Sequence, residues 1–473
     1  MFRNRKTNIL FILFYLFCQN GFISAQTSCA YFIIKKIDIN GNEKTKQALI
    51  LFESGLNEND TIFIDKFLKI IESAKSNIKR TGLFSSVEIE YVLDIENSCY
   101  IDLTIQLEEN WLLFPSVILE FADRNFSVWW NEFNHDPDRL NYGISLIHNN
   151  LTGRKDVLKL KFVRGYSDKY ELTWSRPYLG KNKNLELGFQ ASYIQNKEAP
   201  IGLNKSVLQF YSIEGKNSLF KYSLFSYLAY NFNRQTKLSF YQSWNSVEAL
   251  DSVAYLFPDY LLDGKKYQTA YRLRLNYRYN SLNEPLSPTK GWFFEIENRY
   301  NLLKTTKHYY YSDLFFHCER AIKLNGKFRY FGKLQSQVSI IRDKPPFNQY
   351  KGIGVDQVDL DGFELYFIPG MDFLNINQGI YFKLFNYKRS FFKFLSKEPK
   401  IKINLATELL FKVGLAYSND PFYSKMNTLA NRSLGSISSG ISINVNSILK
   451  LEAQYSVNHL GDKGVYFHTI RSF

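Results

Sequence analysis

The residue types that most often carry catalysis or bind metals are scattered through this sequence without a recognisable spacing. No His-Glu-x-x-His zinc motif, Gly-x-Ser-x-Gly nucleophile elbow or Walker phosphate loop occurs in the 473 residues. The six histidines also lack metal-ligand spacing; they are His135, His148, His308, His317, His459 and His468. The sequence therefore predicts no catalytic residue, no metal and no cofactor. Some enzymes build sites on loop tips from residues that no local motif reveals, and that alternative stays open.

The N-terminus has the three-part layout of a secretory signal peptide. A basic start at residues 3–6 precedes an apolar run at 9–17, and small residues follow up to Ala25, after which we expect cleavage. A lipoprotein would use Cys18, but Phe17 stands where the lipoprotein peptidase requires a small residue. A transmembrane anchor is excluded because the run is well short of about 20 apolar residues.

Residues 26–110 hold the only good helical periodicity in the chain. A stripe of apolar side chains recurs every three or four residues at Ile64, Phe67, Ile71, Ala74 and Ile78, and Gly82 supplies the stop. Strands are predicted at 31–39, 87–92 and 100–107, with a weaker helix at 45–52. The order β-α-α-β-β predicts a small α+β domain in which two helices cover one face of a sheet.

From residue 111 to 473 the pattern changes to strands of roughly ten residues separated by turns, as in transmembrane β-barrels. In the clearest strand, 271–280, apolar and aromatic residues alternate with Arg and Asn. Composition agrees, with 33 Tyr and 41 Phe against 3 Met. We count about sixteen antiparallel strands, and residues 206–213 are strand or loop. The last strand, 465–473, ends on Phe473, as in many outer-membrane barrels, with Val465 and Phe467 on one face.

Several short segments resemble a known family, the BamA-like and TamA-like outer-membrane assembly factors of the bacterial surface antigen superfamily. The segments are Asn40-Gly41-Asn42, Thr81-Gly82-Leu83-Phe84-Ser85-Ser86-Val87, Ala122-Asp123-Arg124-Asn125 with Trp129-Trp130, Asn150-Leu151-Thr152-Gly153-Arg154, Arg176-Pro177-Tyr178-Leu179-Gly180 and Pro288-Thr289-Lys290-Gly291. The resemblance implies a short member with one POTRA-like domain in the periplasm and a sixteen-stranded barrel in the outer membrane. It also implies kinship with two-partner-secretion translocators.

The family's most diagnostic element is a long loop with a Val-Arg-Gly-Phe-like tip folded into the barrel lumen. The matching place reads Leu360-Asp361-Gly362-Phe363, with an acid where the arginine belongs. The strand that supplies an acidic partner in the family reads Leu410-Phe411-Lys412-Val413-Gly414. We hypothesise that Asp361 and Lys412 form a reversed loop-to-wall ion pair; the alternative is two unrelated lumenal charges. Residues 163–166, Val-Arg-Gly-Tyr, are interpreted as a hairpin turn instead.

The resemblance also bears on the cysteines. In POTRA domains the first and third strands lie side by side in parallel, which would bring Cys29 and Cys99 together, and the oxidising periplasm permits a disulfide. Two free buried thiols are the alternative. Cys318 is then left unpaired in the barrel.

Three functions are compatible with the sequence. In the first, the barrel opens sideways at a seam between strand 111–121, from Trp111 to Phe121, and strand 465–473. An unpaired strand edge then acts as a template for incoming outer-membrane proteins. In the second, the barrel exports a dedicated partner through its lumen; in the third it is a channel or receptor. Expected partners are outer-membrane lipids, unfolded outer-membrane or exported proteins, and periplasmic chaperones or accessory lipoproteins. Export argues against nucleic acid despite the net charge of +14.

Overall fold

The computed structural model describes residues 29–94, 99–122, 126–180, 182–305, 308–355, 358–391, 401–445 and 449–471. The chain divides into two compact units, Met1–Trp111 and Leu112–Phe473. The predicted signal peptide and Phe473 lie outside the described residues. Among the described residues, no helix has the length and apolar character needed to cross a membrane.

The N-terminal unit is a small α+β domain. Its elements are β1 (Tyr31–Asn40), α1 (Gln47–Ser54), β2 (Thr61–Phe63), α2 (Ile64–Arg80), β3 (Phe84–Leu93) and β4 (Tyr100–Glu109). The sheet order is β2-β1-β4-β3, with β1 and β4 parallel and the other neighbours antiparallel. The predicted β-α-α-β-β order is present, and the three-residue β2 is an addition that the pattern did not indicate.

The core of this domain forms where α2 packs on the sheet. The predicted apolar stripe is buried at Phe67, Ile71, Ala74 and Ile78, against strand residues such as Ile101 and Leu103. The backbone of Gly82 has φ +75°, a left-handed conformation that glycine adopts without a steric penalty, so the chain can turn from α2 into β3.

The disulfide between Cys29 and Cys99 follows from the parallel pairing of β1 and β4. Cys99 directly precedes β4, and its carbonyl accepts a hydrogen bond from the Ile33 N–H at 2.8 Å. The two cysteines lie at the same end of the paired strands, with 5.5 Å between their Cα atoms, and they are bonded. Cys318 is a free cysteine in the described part of the second unit.

The second unit is built on a sixteen-stranded antiparallel sheet. Its strands are β5 (Leu113–Phe121), β6 (Leu140–Asn149), β7 (Val157–Gly165), β8 (Ser167–Leu179), β9 (Leu185–Asn196), β12 (Leu219–Asn231), β13 (Thr236–Ala249), β14 (Tyr267–Asn280), β15 (Gly291–Lys304), β16 (His308–Lys323), β17 (Phe328–Arg342), β20 (Asp372–Phe391), β21 (Ile401–Asn419), β22 (Ser433–Val445), β23 (Leu449–Asn458) and β24 (Lys463–Arg471). Each strand pairs with its neighbours in chain order, so the predicted count is confirmed over the described residues.

Smaller elements lie in the connections. They are α3 (Phe126–Asn131), the hairpin β10 (Glu198–Asn204) and β11 (Val207–Ser212), α4 (Asp251–Leu256), and the short pair β18 (Gly352–Ile353) and β19 (Ile368–Pro369). Residues 206–213 are therefore largely strand, but in a separate two-stranded hairpin. Val163-Arg164-Gly165-Tyr166 spans the tight connection between β7 and β8, as predicted.

The two faces of the sheet have opposite chemistry. On β14, Leu273 and Leu275 are exposed on the outer face, whereas the alternating Asn276 is buried on the inner face, where its amide donates to Glu295 at 3.0 Å. β23 shows the same pattern, and its alternating polar residues Lys450, Glu452, Gln454 and Ser456 are buried. An apolar outer face and a polar inner face are what a barrel with lipid outside requires.

The ends of the sheet are β5 and β24, the two strands predicted to form a seam. Their bounds differ slightly from the prediction, since Trp111 precedes β5 and falls in the first unit, and β24 begins at Lys463. Within the described ranges no strand ladder joins β5 to β24. Val465 and Phe467 are both exposed on the outer face of β24, on the same side as predicted.

Candidate functional site

The connection between β17 and β20, residues 343–371, is the longest loop of the second unit and lies against the inner face of the sheet. It holds a 3₁₀ turn, Phe347–Gln349, and the short β18–β19 hairpin. Residues 360–366, the loop tip, reach across the inner faces of β20 to β24. The carbonyl oxygen of Asp359 accepts hydrogen bonds from Asn375 and Asn377 of β20, both at 3.0 Å, which fixes the entry to the loop tip.

Two glycines allow the loop tip to approach the wall. Gly362 has φ +80°, and its carbonyl accepts a hydrogen bond from the Asn458 amide at 2.8 Å. A Cβ added at Gly414 on β21 would lie 2.6 Å from Cδ1 of Leu360. A side chain at position 414 would therefore displace the buried Leu360, and glycine leaves room for it. Phe363 is 2% exposed, so the loop tip is anchored by apolar packing as well.

Asp361 is held by three groups from three different strands. It accepts hydrogen bonds from Ser438 Oγ on β22 at 3.0 Å and from Gln454 Nε2 on β23 at 2.8 Å. The ammonium of Lys412 on β21 lies 3.6 Å from the same carboxylate. The two residues singled out from the sequence are therefore together, at the point where the loop tip meets the wall.

Lys412 has a second carboxylate partner, Glu452, which was not predicted from the sequence. Its Nζ donates to Glu452 at 2.8 Å and to the Gln454 side-chain oxygen at 3.0 Å, both on β23. Lys450 lies 2.6 Å from the other oxygen of Glu452. The strict alternation of β23 was the available signal, because it predicts that residues 450, 452, 454 and 456 all face inward.

The loop tip also contacts β24, the last strand of the sheet. Glu364 lies 3.4 Å from His468 Nε2, and the Tyr366 hydroxyl donates to Asp462 beside β24 at 2.9 Å. Asp361, Glu364 and His468 bring their ligand atoms within 4.8 Å of one another, a cluster that motif spacing could not detect because it joins a loop to a distant strand. Lys412 and Gln454 already contact Asp361 there, so its charge is balanced by protein groups.

The cluster of Asp361, Glu364, Lys412, Glu452 and His468 is mostly buried and couples the loop tip to β21, β23 and β24. A buried ion pair contributes little net stability, but removal of one partner leaves an uncompensated charge and costs about 3–5 kcal/mol. The arrangement has no nucleophile beside a general base. It can hold a loop in one position, and it can release that loop if its charges are altered.

The family segment 150–154 forms the turn between β6 and β7. Asp156 is buried and accepts hydrogen bonds from the Thr152 N–H at 2.8 Å and from the Trp174 indole at 3.2 Å. Asn150 is also buried, with φ +65°, and its side chain accepts from the Lys155 N–H at 2.7 Å. This segment therefore fixes a tight turn and brings no reactive group to the loop tip.

Comparison with known proteins is consistent with this geometry. A model described as the Omp85 superfamily domain matches residues 150–354, and a POTRA model, described as surface antigen variable number repeat, matches residues 32–110. No curated protein matches the chain.

Three solved structures share the fold. BamA from Haemophilus ducreyi lacking POTRA domains 1-3 has a TM-score of 0.62 at 15% identity, over 93% of this chain and 84% of that one. CdiB from Acinetobacter baumannii has a TM-score of 0.52 at 14% identity, over 94% and 74% of the two chains. CdiB from Escherichia coli has a TM-score of 0.53 at 11% identity, over 95% and 92%.

The fold therefore defines an outer-membrane β-barrel preceded by a POTRA domain that lies in the periplasm. The chain therefore carries an Omp85 superfamily domain and one matched POTRA domain, the domain organisation of a BamA-like or TamA-like protein with a single POTRA domain. Since β5 then runs from the periplasm to the cell surface, the loops after β5, β17, β21 and β23 are extracellular. The loop tip is an extracellular loop folded into the lumen.

Proposed function

We propose that the protein inserts other β-barrel proteins into the outer membrane, or helps them to fold, by lateral opening between β5 and β24. The observation that carries this proposal is the seam itself. Fifteen neighbouring pairs of the sixteen-stranded sheet have ladders, whereas no ladder joins β5 to β24 over the described residues. In hydrocarbon an unpaired strand edge is costly, so such a seam favours pairing with an incoming strand.

The exposure of β5 supports the same proposal. Of the residues Leu113–Phe121 only Ile118 is buried, and Val117 is 86% exposed. β5 also stands at one end of the sheet, with a ladder to β6 and, over the described residues, none to β24. An incoming substrate strand could pair with such an edge through main-chain hydrogen bonds, which require no particular substrate sequence and no reactive residue. We therefore do not assign an enzymatic activity to the protein.

The POTRA domain offers a second edge for the same kind of pairing. β3 lies at one edge of its four-stranded sheet, and Tyr91, Val92 and Leu93 near the end of β3 are exposed. We propose that this edge receives unfolded outer-membrane proteins, periplasmic chaperones or accessory lipoproteins by β-augmentation. In this proposal the POTRA-like domain of the mature chain is residues 26–110 and the barrel is residues 111–473.

Export of a dedicated partner through the lumen is the second candidate. It requires the loop tip to leave its contacts with β21, β23 and β24, including the buried Asp361–Lys412 pair. Separation of β5 from β24 does not require the Asp361–Lys412 pair to break, because Lys412 lies on β21. A plain channel or receptor would need neither step, and the filled inner face at the loop tip does not favour it.

A disulfide lock tests the proposal. In a Cys318→Ala background, pairs of cysteines with one in Leu113–Phe121 and one in Lys463–Arg471 are oxidised in cells, and outer-membrane protein content is measured. A matched control locks two strands that are already paired, through Ser439→Cys with Tyr455→Cys, which are register partners on β22 and β23. We expect the seam lock to deplete other barrel proteins and the control to be harmless. Efficient but harmless seam locking would reject lateral opening.

A further inference from the structure

The short helix α3 lies on the seam. It belongs to the extracellular loop that follows β5, yet it packs on β24 at the opposite edge. The ring of Phe126 makes an edge-to-face contact with Phe467 at 5.3 Å between centroids. The backbone N–H of Phe467 donates to Ser127 Oγ at 3.4 Å, across 340 residues of sequence. Ser127 and Val128 are buried, so α3 is packed against the barrel and does not project into solvent.

The same helix is tied to β5. Phe121, the last residue of β5, lies 5.5 Å from the ring of Phe126 and 4.9 Å from that of Trp129. Trp130 stacks on Phe126 at 5.6 Å. A continuous row of aromatic rings therefore runs from the end of β5, through α3, to Phe467 on β24, between two strands that share no ladder over the described residues.

The loop that holds α3 is anchored at its far end. Arg139 is buried and forms an ion pair with Glu198 of the β10–β11 hairpin at 2.7 Å. Its guanidinium also lies 3.5 Å from the ring centroid of Phe133 and 5.3 Å from that of Phe210. Within the loop, the Trp129 indole donates to the Asp136 carbonyl at 2.8 Å. These contacts hold α3 in a fixed position over the seam.

We propose that α3 is a latch on the seam, which keeps β24 next to β5 through side-chain contacts until a substrate strand displaces it. This inference rests on the proposed lateral opening and names how that opening is regulated. Aromatic contacts suit the role, because rings released into the bilayer exchange protein contacts for lipid contacts, whereas a broken ladder would leave backbone polar groups unsatisfied in hydrocarbon. Ser127 also occupies the Phe467 N–H, so an incoming strand must displace α3 to pair with β24 there.

The test measures the width of the seam directly. Spin labels are placed at Val117→Cys on β5 and Val465→Cys on β24 in the full chain with Cys318→Ser, reconstituted in nanodiscs, and their separation is measured by double electron–electron resonance. The latch variant is Phe126→Ala with Ser127→Ala. The control is Phe240→Ala, which removes an outer-face phenylalanine of β13, a strand that is not part of the seam. We expect the latch variant to shift the distances outward or broaden them, and the control to match the parent.

An unchanged distance distribution in the latch variant would overturn the latch, whatever happens to other barrel proteins in cells. A shifted distribution with normal levels of other barrel proteins would uphold the latch and reject the proposed insertion function. If the double variant fails to fold, Phe467→Leu removes the aromatic contact at nearly constant volume and is read in the same way. The two proposals therefore fail independently.

Discussion

The ammonium of Lys412 on β21 lies 3.6 Å from the carboxylate of Asp361 in the loop tip. The pair is embedded in a cluster, since Lys412 is closer to Glu452, at 2.8 Å. We propose that the Asp361–Lys412 contact is the reversed form of the loop-to-wall pair of the family and pins the loop tip in the lumen. Lys412 also links the carboxylate of Asp361 in the loop to that of Glu452 on β23. A simple exchange of the acidic and basic residues would give only the first of these two contacts.

Charge reversal tests this role. Asp361→Lys and Lys412→Asp should each raise hydrogen exchange of residues 358–371, and the double variant should recover only part of the protection. Recovery is incomplete because an aspartate at position 412 would face Glu452. The control is Lys237→Asp, which breaks the lumenal pair with Glu186 at 2.8 Å, away from the loop tip. Strictly additive damage in the double variant would contradict the pair.

Neutralising Lys412 should destabilise the barrel more than neutralising Asp361. Lys412→Met leaves Asp361 and Glu452 buried without their shared cation, which costs about 3–5 kcal/mol. Asp361→Asn should be milder, because Lys412 keeps Glu452. The midpoint of thermal unfolding in detergent measures both. Equal destabilisation by the two variants would show that Glu452 does not matter to Lys412.

The close approach at Gly414 gives a matched pair of variants. Gly414→Ala places a methyl group 2.6 Å from Leu360 Cδ1 and should displace the loop tip, at a cost of about 1–3 kcal/mol. Gly435→Ala on the neighbouring strand is the control, since its nearest atom, Leu415 Cδ2, is 3.7 Å away. Adding Leu360→Ala to Gly414→Ala should restore protection of residues 358–371 from hydrogen exchange. No restoration would mean that the clash lies elsewhere, at Ser436 for example.

The disulfide should stabilise the POTRA domain and leave the barrel unaffected. It closes a loop with a sequence separation of 70 residues, so Cys29→Ser should cost roughly 2–5 kcal/mol in that domain. Limited proteolysis of the full chain should then cut within 31–109 and spare the barrel. Cys318→Ser is the control and should leave the cleavage pattern unchanged. Cleavage that begins in the barrel would contradict the prediction.

The outer face should reject charge in a depth-dependent way. Leu273 lies near the middle of β14 and is 44% exposed. Leu273→Arg should lower the folding stability by about 2–4 kcal/mol, because the arginine side chain would face the bilayer core. Leu324→Arg is the control: this residue is 54% exposed but lies in the turn between β16 and β17. The folded fraction in lipid vesicles, read by heat-modifiable mobility, distinguishes the two. A similar loss in both variants would mean that Leu273 does not face lipid.

The sequence by itself determines much of the fold, because helices and strands show in the local periodicity of apolar residues. The apolar stripe from Ile64 to Ile78 has the period of a helix, and 271–280 has the period of a strand with two chemically different faces. Both patterns are set by residues within a few positions of each other, so the predicted α2 and β14 match the structure. The family resemblance predicted that Cys29 and Cys99 are close, because the parallel pairing of the first and third long strands places the two cysteines at the same end of the sheet.

The tertiary structure alone decided where distant residues meet. Short elements such as β2 (Thr61–Phe63) carry too few residues to show a period, and the β10–β11 hairpin alternates like a barrel strand but pairs outside the sheet. Glu452, 40 residues from Lys412, and Phe467, 340 residues from Ser127, became partners only when the sheet curved round and the loops packed over it. Local sequence specifies which face of a strand a side chain occupies, whereas the closing of the sheet determines which side chains share the lumen and the seam.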